Sequence, residues 1–373
     1  MQADVDVVVV GAGAVGLACA AALAHAGRSV VVVERHARVG SEASSRNSEV
    51  IHAGLYYTAG SLKATLCRAG REALYARCER MKLPHRRLGK LLVATRAAEL
   101  DSLEDIRQRG QENGAPGLEI VDAAAVASME PALRVLGALH SPDSGIVDAI
   151  ALCLSYAAEA EQHGAALVFR QDVTQIEARA GGYRIGARGP DGAASELCCA
   201  AVVNAAGLDS DRVAALAGLD VDACGYRLHP CKGDYFSLAP SAPLKLSRLV
   251  YPVPTGGGLG VHATLDLAGR IRFGPDAEYT REVHYAVDPA KAARFAASVR
   301  RYLPGLEASW LSADYAGVRA KLAGPGEPAR DFVVAEESRA GLPGFVNCIG
   351  IESPGLTASP AIGARVAGLL GSL

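Results

Sequence analysis

Asp6-Val-Val-Val-Val10-Gly11-Ala-Gly13-Ala-Val-Gly16 is the stretch on which the fold of this chain turns. The β-branched run Asp6 to Val10 is what a central parallel strand requires, and it leads straight into G-x-G-x-x-G. Leu17 to Ala26 is rich in Ala and Leu and free of Pro, which predicts a helix, with Gly27 placed to end it. Ser29 to Val33 predicts a second strand that ends on Glu34, 18 residues after Gly16. Gly11 then permits the tight turn, Gly13 lets a pyrophosphate approach the backbone, and Gly16 lets helix and strand pack closely. The pyrophosphate belongs at the positive end of the helix, and Glu34 stands where the acid for an adenosine ribose is needed. A lone G-x-G-x-x-G is weak evidence. With strand, helix, second strand and acid all in place, it marks a dinucleotide site.

Outward from this unit, Gly40-Ser-Glu-Ala-Ser-Ser-Arg-Asn-Ser48 is a polar loop of small residues where a nicotinamide enzyme would continue with alternating strands and helices. Such a loop suits a longer, extended cofactor with a flavin, FAD. Rossmann-like character returns at Gly145 to Gln162, which holds a helix, and at the strands Ala166 to Phe169 and Asp172 to Glu177. Tyr183 to Ile185 and Glu196 to Val203 predict an antiparallel hairpin whose second strand delivers the turn Asn204-Ala-Ala-Gly207. Near the C-terminus, Phe345 to Ile349 reads as a strand, Gly350 to Thr357 as a turn, and Ser359 to Leu370 as a helix. That arrangement again presents N–H groups and a positive dipole to an anionic group.

Between these pieces lie Gly89 to Ala94 with a helical stretch at Ala97 to Gln111, and a strand-rich segment. The latter carries strand signals at Tyr235-Phe236, Leu249 to Pro252, Leu259 to His262 and Arg270 to Phe273. The expected architecture is α/β, α+β overall. A Rossmann-type FAD-binding domain (1–83, 141–217 and 326–373) carries an inserted, mainly antiparallel β substrate domain (84–140 and 218–325).

Composition narrows the function classes. The chain has 373 residues, half of them apolar, which fits a two-domain globular enzyme. Thirty-eight basic residues against 40 acidic ones give a net charge of −2 and no electrostatic case for nucleic acid. The apolar stretch Val7 to Ala26 follows Asp4 and Asp6, with no Lys or Arg before it, so it reads as fold and not as an export signal. Nine scattered cysteines form no C-x-x-C pair and no zinc-type spacing, so a metal site is not expected. A reducing, cytoplasmic compartment is expected, with at most peripheral membrane contact.

Several blocks resemble one family: Asn47 to His52 and on to Tyr57, Gly60 to Cys67, Gly89-Lys90-Leu, Tyr251 to Pro254, Leu259 to His262, Phe273 to Pro275, and Gly350 to Thr357. In family order and across nearly the whole chain, they are similar to the L-2-hydroxyglutarate dehydrogenases and oxidases of the D-amino-acid-oxidase-like FAD proteins. Two departures stand out. The loop that usually reads His-Asn-Ser-Gly in that family is Arg46-Asn-Ser-Glu49 here, and Lys321 follows two residues after Arg319.

The resemblance implies FAD contacts at Gly11, Gly13, Gly16, Glu34, Arg35, Ser44, Ser45, Asn47, Val173, Ala206, Gly207, Gly350, Glu352, Ser353, Pro354, Gly355, Leu356 and Thr357. Oxidising a small 2-hydroxy acid removes a hydride from carbon and a proton from the hydroxyl. Histidine suits the proton because its pKa lies near the working pH. His52 is the first candidate base and His262 the second. Arg319 and Lys321, two apart on a strand and so on one face, form a candidate carboxylate clamp. Lys232, Tyr251 and Arg272 are further candidate substrate contacts. Oxygen, a quinone or another flavoprotein as electron acceptor would each leave the same signature. Two other readings share these residues: an amine oxidase of the glycine- or sarcosine-oxidase type, and a non-catalytic flavin-binding assembly factor.

Overall fold

The computed structural model describes residues 3–254 and 260–371. Its first sheet is built around the strand Val5–Val10, which pairs in parallel with Val30–Val33 on one side and Ala194–Asn204 on the other. Val30–Val33 continues in parallel to Ala166–Val168. The inner half of Ala194–Asn204 pairs in parallel with Leu342–Ile349, which takes Val333–Glu337 as an antiparallel edge. The outer half of the same long strand carries the antiparallel strands Asp172–Arg179 and Gly182–Arg188. Val7 to Val10 are all buried, because a parallel strand covered on both faces has no polar side.

The helix Ala14–His25 buries nine of its 12 residues, as a helix apolar on all sides must. It packs against the helices Ala149–Gln162 and Gly355–Leu369. The latter begins at Gly355, four residues before the expected start, and continues through Pro360. Pro360 has no N–H for the Leu356 carbonyl, and the Ser359 hydroxyl donates to that carbonyl instead (2.9 Å).

The helix Leu62–Met81, 20 residues long, is missing from the expectations above. Its apolar period is broken by Arg71 and Arg77, which are themselves buried. Arg71 pairs with Asp143 at 2.9 Å, and Arg77 pairs with Glu159. A buried arginine reads as surface in a hydropathy pattern, and only its tertiary partner reveals otherwise.

Among the described residues, the second sheet has nine strands drawn from 90–141 and 229–321. Its pairs are antiparallel except for one: Leu249–Pro252 runs parallel to Lys90–Ala94, with Leu249 opposite Lys90 and Tyr251 opposite Leu92. This parallel seam joins the two sequence segments of the sheet. Leu259 lies outside the described residues. The strand expected at Leu259 to His262 is corrected to Ala263–Leu265, with His262 just before its first residue. A small third sheet joins Val50–Ile51 and His85–Arg86 to Gly145–Val147 and fixes the chain immediately before His52.

Candidate active site

The site has two parts. The first is a cleft at the C-terminal end of Val5–Val10. Gly11, Gly13, Glu34, Arg35 and Ser44 line one side, with Val173, Ala206 and Gly207 on the other. Gly11 sits at φ +104°, and a Cβ there would meet the Ala205 carbonyl oxygen at 2.6 Å. A Cβ on Gly16 would lie 2.0 Å from the Gly11 carbonyl oxygen. Both glycines are demanded by the protein itself. Gly13 differs, since its Cβ would meet only the Ser44 hydroxyl, at 3.1 Å. The fold asks little of Gly13, whereas a ligand lying against the backbone at the helix N-terminus asks for it directly. The cleft therefore fits the pyrophosphate of a dinucleotide such as FAD.

Glu34 is buried, and its carboxylate accepts from the Ala12 N–H (2.8 Å) and the His36 N–H (2.7 Å), tying the second strand to the glycine loop. Ser44 Oγ accepts from the Ala14 N–H at 2.9 Å, so the 40–48 loop lies over the helix start. Ser45 and Asn47 do not line the cleft. Ser45 Oγ donates to the Glu42 carbonyl, and Asn47 Nδ2 donates to the carbonyls of Ala43 and Ser44. Arg35 stands on the rim between Glu42 and Asp209, each at 2.5 Å. His36, Asp209 and Arg212 also border the cleft and were not anticipated. The turn after Ala206-Gly207 is the sequence signal for the last two.

The second part, the chamber, is a cluster of side chains where the loop 350–357 meets the second sheet. The His52 N–H donates to Thr357 Oγ1 (3.0 Å), and its ring Nε2 lies 3.2 Å from Ser353 Oγ. Burial, the charge of Lys90 and then that of His262 push the His52 imidazolium well below its ordinary range, so the ring is neutral at neutral pH. Burial holds the Tyr57 hydroxyl protonated, its pKa well above the ordinary value. His262 stacks on Tyr251 with ring centroids 3.5 Å apart and planes 11° from parallel. Lys90 Nζ sits over the same Tyr251 ring, 4.2 Å from its centroid. Gly350 and the residues Glu352 to Thr357 form the chamber's loop, and the helix beginning at Gly355 opens without a side-chain cap.

The expected cations are placed less uniformly. Lys321 pairs with Glu352 (3.3 Å), which also pairs with Lys63 (3.0 Å), so Lys321 braces the loop. Arg319 donates through Nη2 to the carbonyls of Asp276 (2.6 Å) and Lys232 (3.2 Å) and through Nε to that of Cys231 (3.3 Å). No carboxylate pairs with it among the described residues. Lys232 is buried against Asp234 at 2.5 Å, and Arg272 lies within 4 Å of Glu49, Asp266 and Asp314. Both charges are balanced inside the protein. Glu49, where the resembled family has glycine, adopts φ +57°. It pays the usual left-handed cost while its carboxylate accepts from the Ala149 N–H (3.3 Å).

Comparison with known proteins agrees with this geometry. Residues 6–369 match the DAO family model, described as FAD dependent oxidoreductase. The chain is 38% identical to the mitochondrial L-2-hydroxyglutarate dehydrogenase of Arabidopsis thaliana, over 97% of this chain and 83% of that protein. It is 32% identical to the mitochondrial L-2-hydroxyglutarate dehydrogenase of Caenorhabditis elegans, over 96% of this chain and 91% of that one. Among solved structures, the dithionite-reduced, FAD-bound L-α-glycerophosphate oxidase of Mycoplasma pneumoniae superposes with a TM-score of 0.87 at 25% identity, covering 100% of this chain and 95% of that one. The chain belongs to the DAO family of FAD-dependent oxidoreductases.

Proposed function

We propose that this protein oxidises L-2-hydroxyglutarate to 2-oxoglutarate, with His52 taking the hydroxyl proton. The observation that carries the reading is the likeness to two L-2-hydroxyglutarate dehydrogenases over at least 96% of this chain. The site supports it in kind. His52 is neutral and therefore able to accept a proton, and the Ser353 hydroxyl beside its Nε2 occupies a position a substrate hydroxyl can share. When bound, FAD supplies the hydride acceptor. Arg319, through the Nη1 edge left over from its three carbonyl contacts, is assigned to the carboxylate next to the reacting carbon. Lys321 acts at one remove by holding Glu352 and the loop. Lys232 and Arg272 are assigned positioning roles, because their charges already have carboxylate partners.

No described helix is long and apolar enough to cross a membrane. We place the protein in the cytoplasm as a reducing compartment, on nine free cysteines of which seven are buried; the relatives' names place those proteins in mitochondria. The test is anaerobic mixing of the FAD-loaded protein with a panel of acids and amines. L-2-hydroxyglutarate should bleach the flavin absorbance and release 2-oxoglutarate. Bleaching by glycine or sarcosine alone would assign the site to amines. Bleaching by dithionite alone would leave a flavin-binding protein without this activity.

A further inference from the structure

Lys90 is buried, with 1% of its surface exposed, on the parallel seam of the second sheet. Burying an ammonium is unfavourable unless a counter-charge or a set of carbonyls replaces water. Lys232, Lys321 and Arg272 each have a carboxylate, and Arg319 has three backbone carbonyls. Lys90 has neither among the described residues. What faces it is the Tyr251 ring from the neighbouring strand, Cys67 from the helix Leu62–Met81, and His52 from the loop after Val50–Ile51. His262 occupies one face of the Tyr251 ring at stacking distance, which leaves the other face to the ammonium. The cation is thus fixed by two rigid strands, its charge felt by the candidate base, with no anion to neutralise it among the described residues.

We infer that Lys90 receives the distal carboxylate of a dicarboxylic substrate, the carboxylate remote from the carbon being oxidised. The inference rests on the 2-hydroxy-acid reading above and adds the source of its dicarboxylate selectivity. An electrostatic link joins the two cations: the charge of Arg319 acts on the buried Tyr235 hydroxyl, and Tyr235 acts on Tyr251, whose ring carries Lys90. Arg319 and Lys90 therefore act on the same pair of buried tyrosines, and a substrate with a carboxylate at each end satisfies both cations. A monocarboxylic 2-hydroxy acid would leave Lys90 buried and unpaired. That penalty falls on the wrong substrate, which is how a buried polar group discriminates.

The test uses the FAD-loaded protein and two unreactive ligands of equal chain length, 2-oxoglutarate and 2-oxopentanoate, titrated against the flavin absorbance. Lys90→Met should raise the Kd of 2-oxoglutarate about 30-fold and that of 2-oxopentanoate less than about threefold. Equal weakening of both ligands, or no change in either, overturns the inference. A pH series on the wild type reads the same contact without mutation. Burial lowers Lys90 to about 8, while Cys67 and Tyr251 are pushed up and His52 down, so these three stay neutral through that range. Dicarboxylate affinity should fall above pH 8 as the ammonium deprotonates, with the monocarboxylate flat, His262 being common to both titrations. Parallel pH curves for the two ligands overturn the inference even if Lys90→Met fails to fold. Absence of wild-type turnover of L-2-hydroxyglutarate would instead sink the substrate reading, and the two titrations would still report on Lys90.

Discussion

The cleft and the chamber are built from different materials. The cleft is made of backbone: Gly11, Gly13 and Gly16 fall within six residues, and Glu34 reaches back to the Ala12 N–H from the next strand. The chamber is made of side chains from five separate places, His52, Lys90, Tyr251, His262 and Ser353, brought together by the seam between strands 90–94 and 249–252 and by the loop ahead of the C-terminal helix. A site made of backbone tolerates few changes of any kind, since a Cβ is enough to fill it. A site made of side chains can lose one chemical function while keeping its shape. Cofactor retention and turnover should therefore fail separately.

The largest effect breaks the cleft. Gly16→Val drives a branched side chain into the Gly11 carbonyl, 2.0 Å from the Cβ position, and should cost about 3 kcal/mol or more with loss of folded protein. Gly13→Val should instead give a folded protein with the circular dichroism of flavin-stripped wild type and no bound flavin. Retention of flavin by that variant would show that the pyrophosphate lies elsewhere.

Next in size is the base. His52→Ala should lower kcat about a thousandfold while the flavin stays bound, because its main-chain contact with Thr357 is unaffected. A loss of flavin in proportion to activity would make His52 part of the cofactor site and blur the contrast between the regions.

The third prediction tests coupling inside the chamber. Lys90 holds the His52 imidazolium down, so Lys90→Met removes a positive charge and raises the His52 pKa. The acid limb of kcat/KM, where His52 becomes protonated and inactive as a base, should move to higher pH. An unmoved limb would mean that burial alone sets the histidine.

The smallest effect concerns the loop between the two parts. Glu49→Gly relieves a left-handed residue at φ +57°, worth about 1 kcal/mol, and forfeits the 3.3 Å bond from the Ala149 N–H. Thermal melting should rise by about 1–2 °C. A fall would show that the carboxylate's bonds outweigh the backbone strain.

Much of the first sheet can be read from the chain because its signals are local. The valine run, the glycine spacing and Glu34 sit within 30 residues, and the expected strands 183–185 and 196–203 fall within Gly182–Arg188 and Ala194–Asn204, which pair antiparallel. The helix Leu62–Met81 escapes such reading because Arg71 and Arg77 are buried by partners 72 and 82 positions away, at Asp143 and Glu159. The strand expected at Leu259 to His262 starts later for a related reason: His262 is held by the stack of its ring on Tyr251 and by the Gly274 N–H on its carbonyl (3.0 Å), and the strand begins at Ala263.

The residues of the site divide along the same line. His52 and the 350–357 loop are visible as motifs, but their meeting at Ser353 spans 301 positions. Lys232, Arg272 and Lys321 look alike in sequence as strand cations, and only packing shows that each has a carboxylate while Lys90 has none among the described residues. The sequence alone determined the dinucleotide-binding unit, because backbone conformation answers to neighbours a few residues away. The tertiary structure decided that His52 is held neutral and that Lys90 is left without a carboxylate among the described residues, because desolvation and charge depend on every segment that packs around them, however distant in the chain.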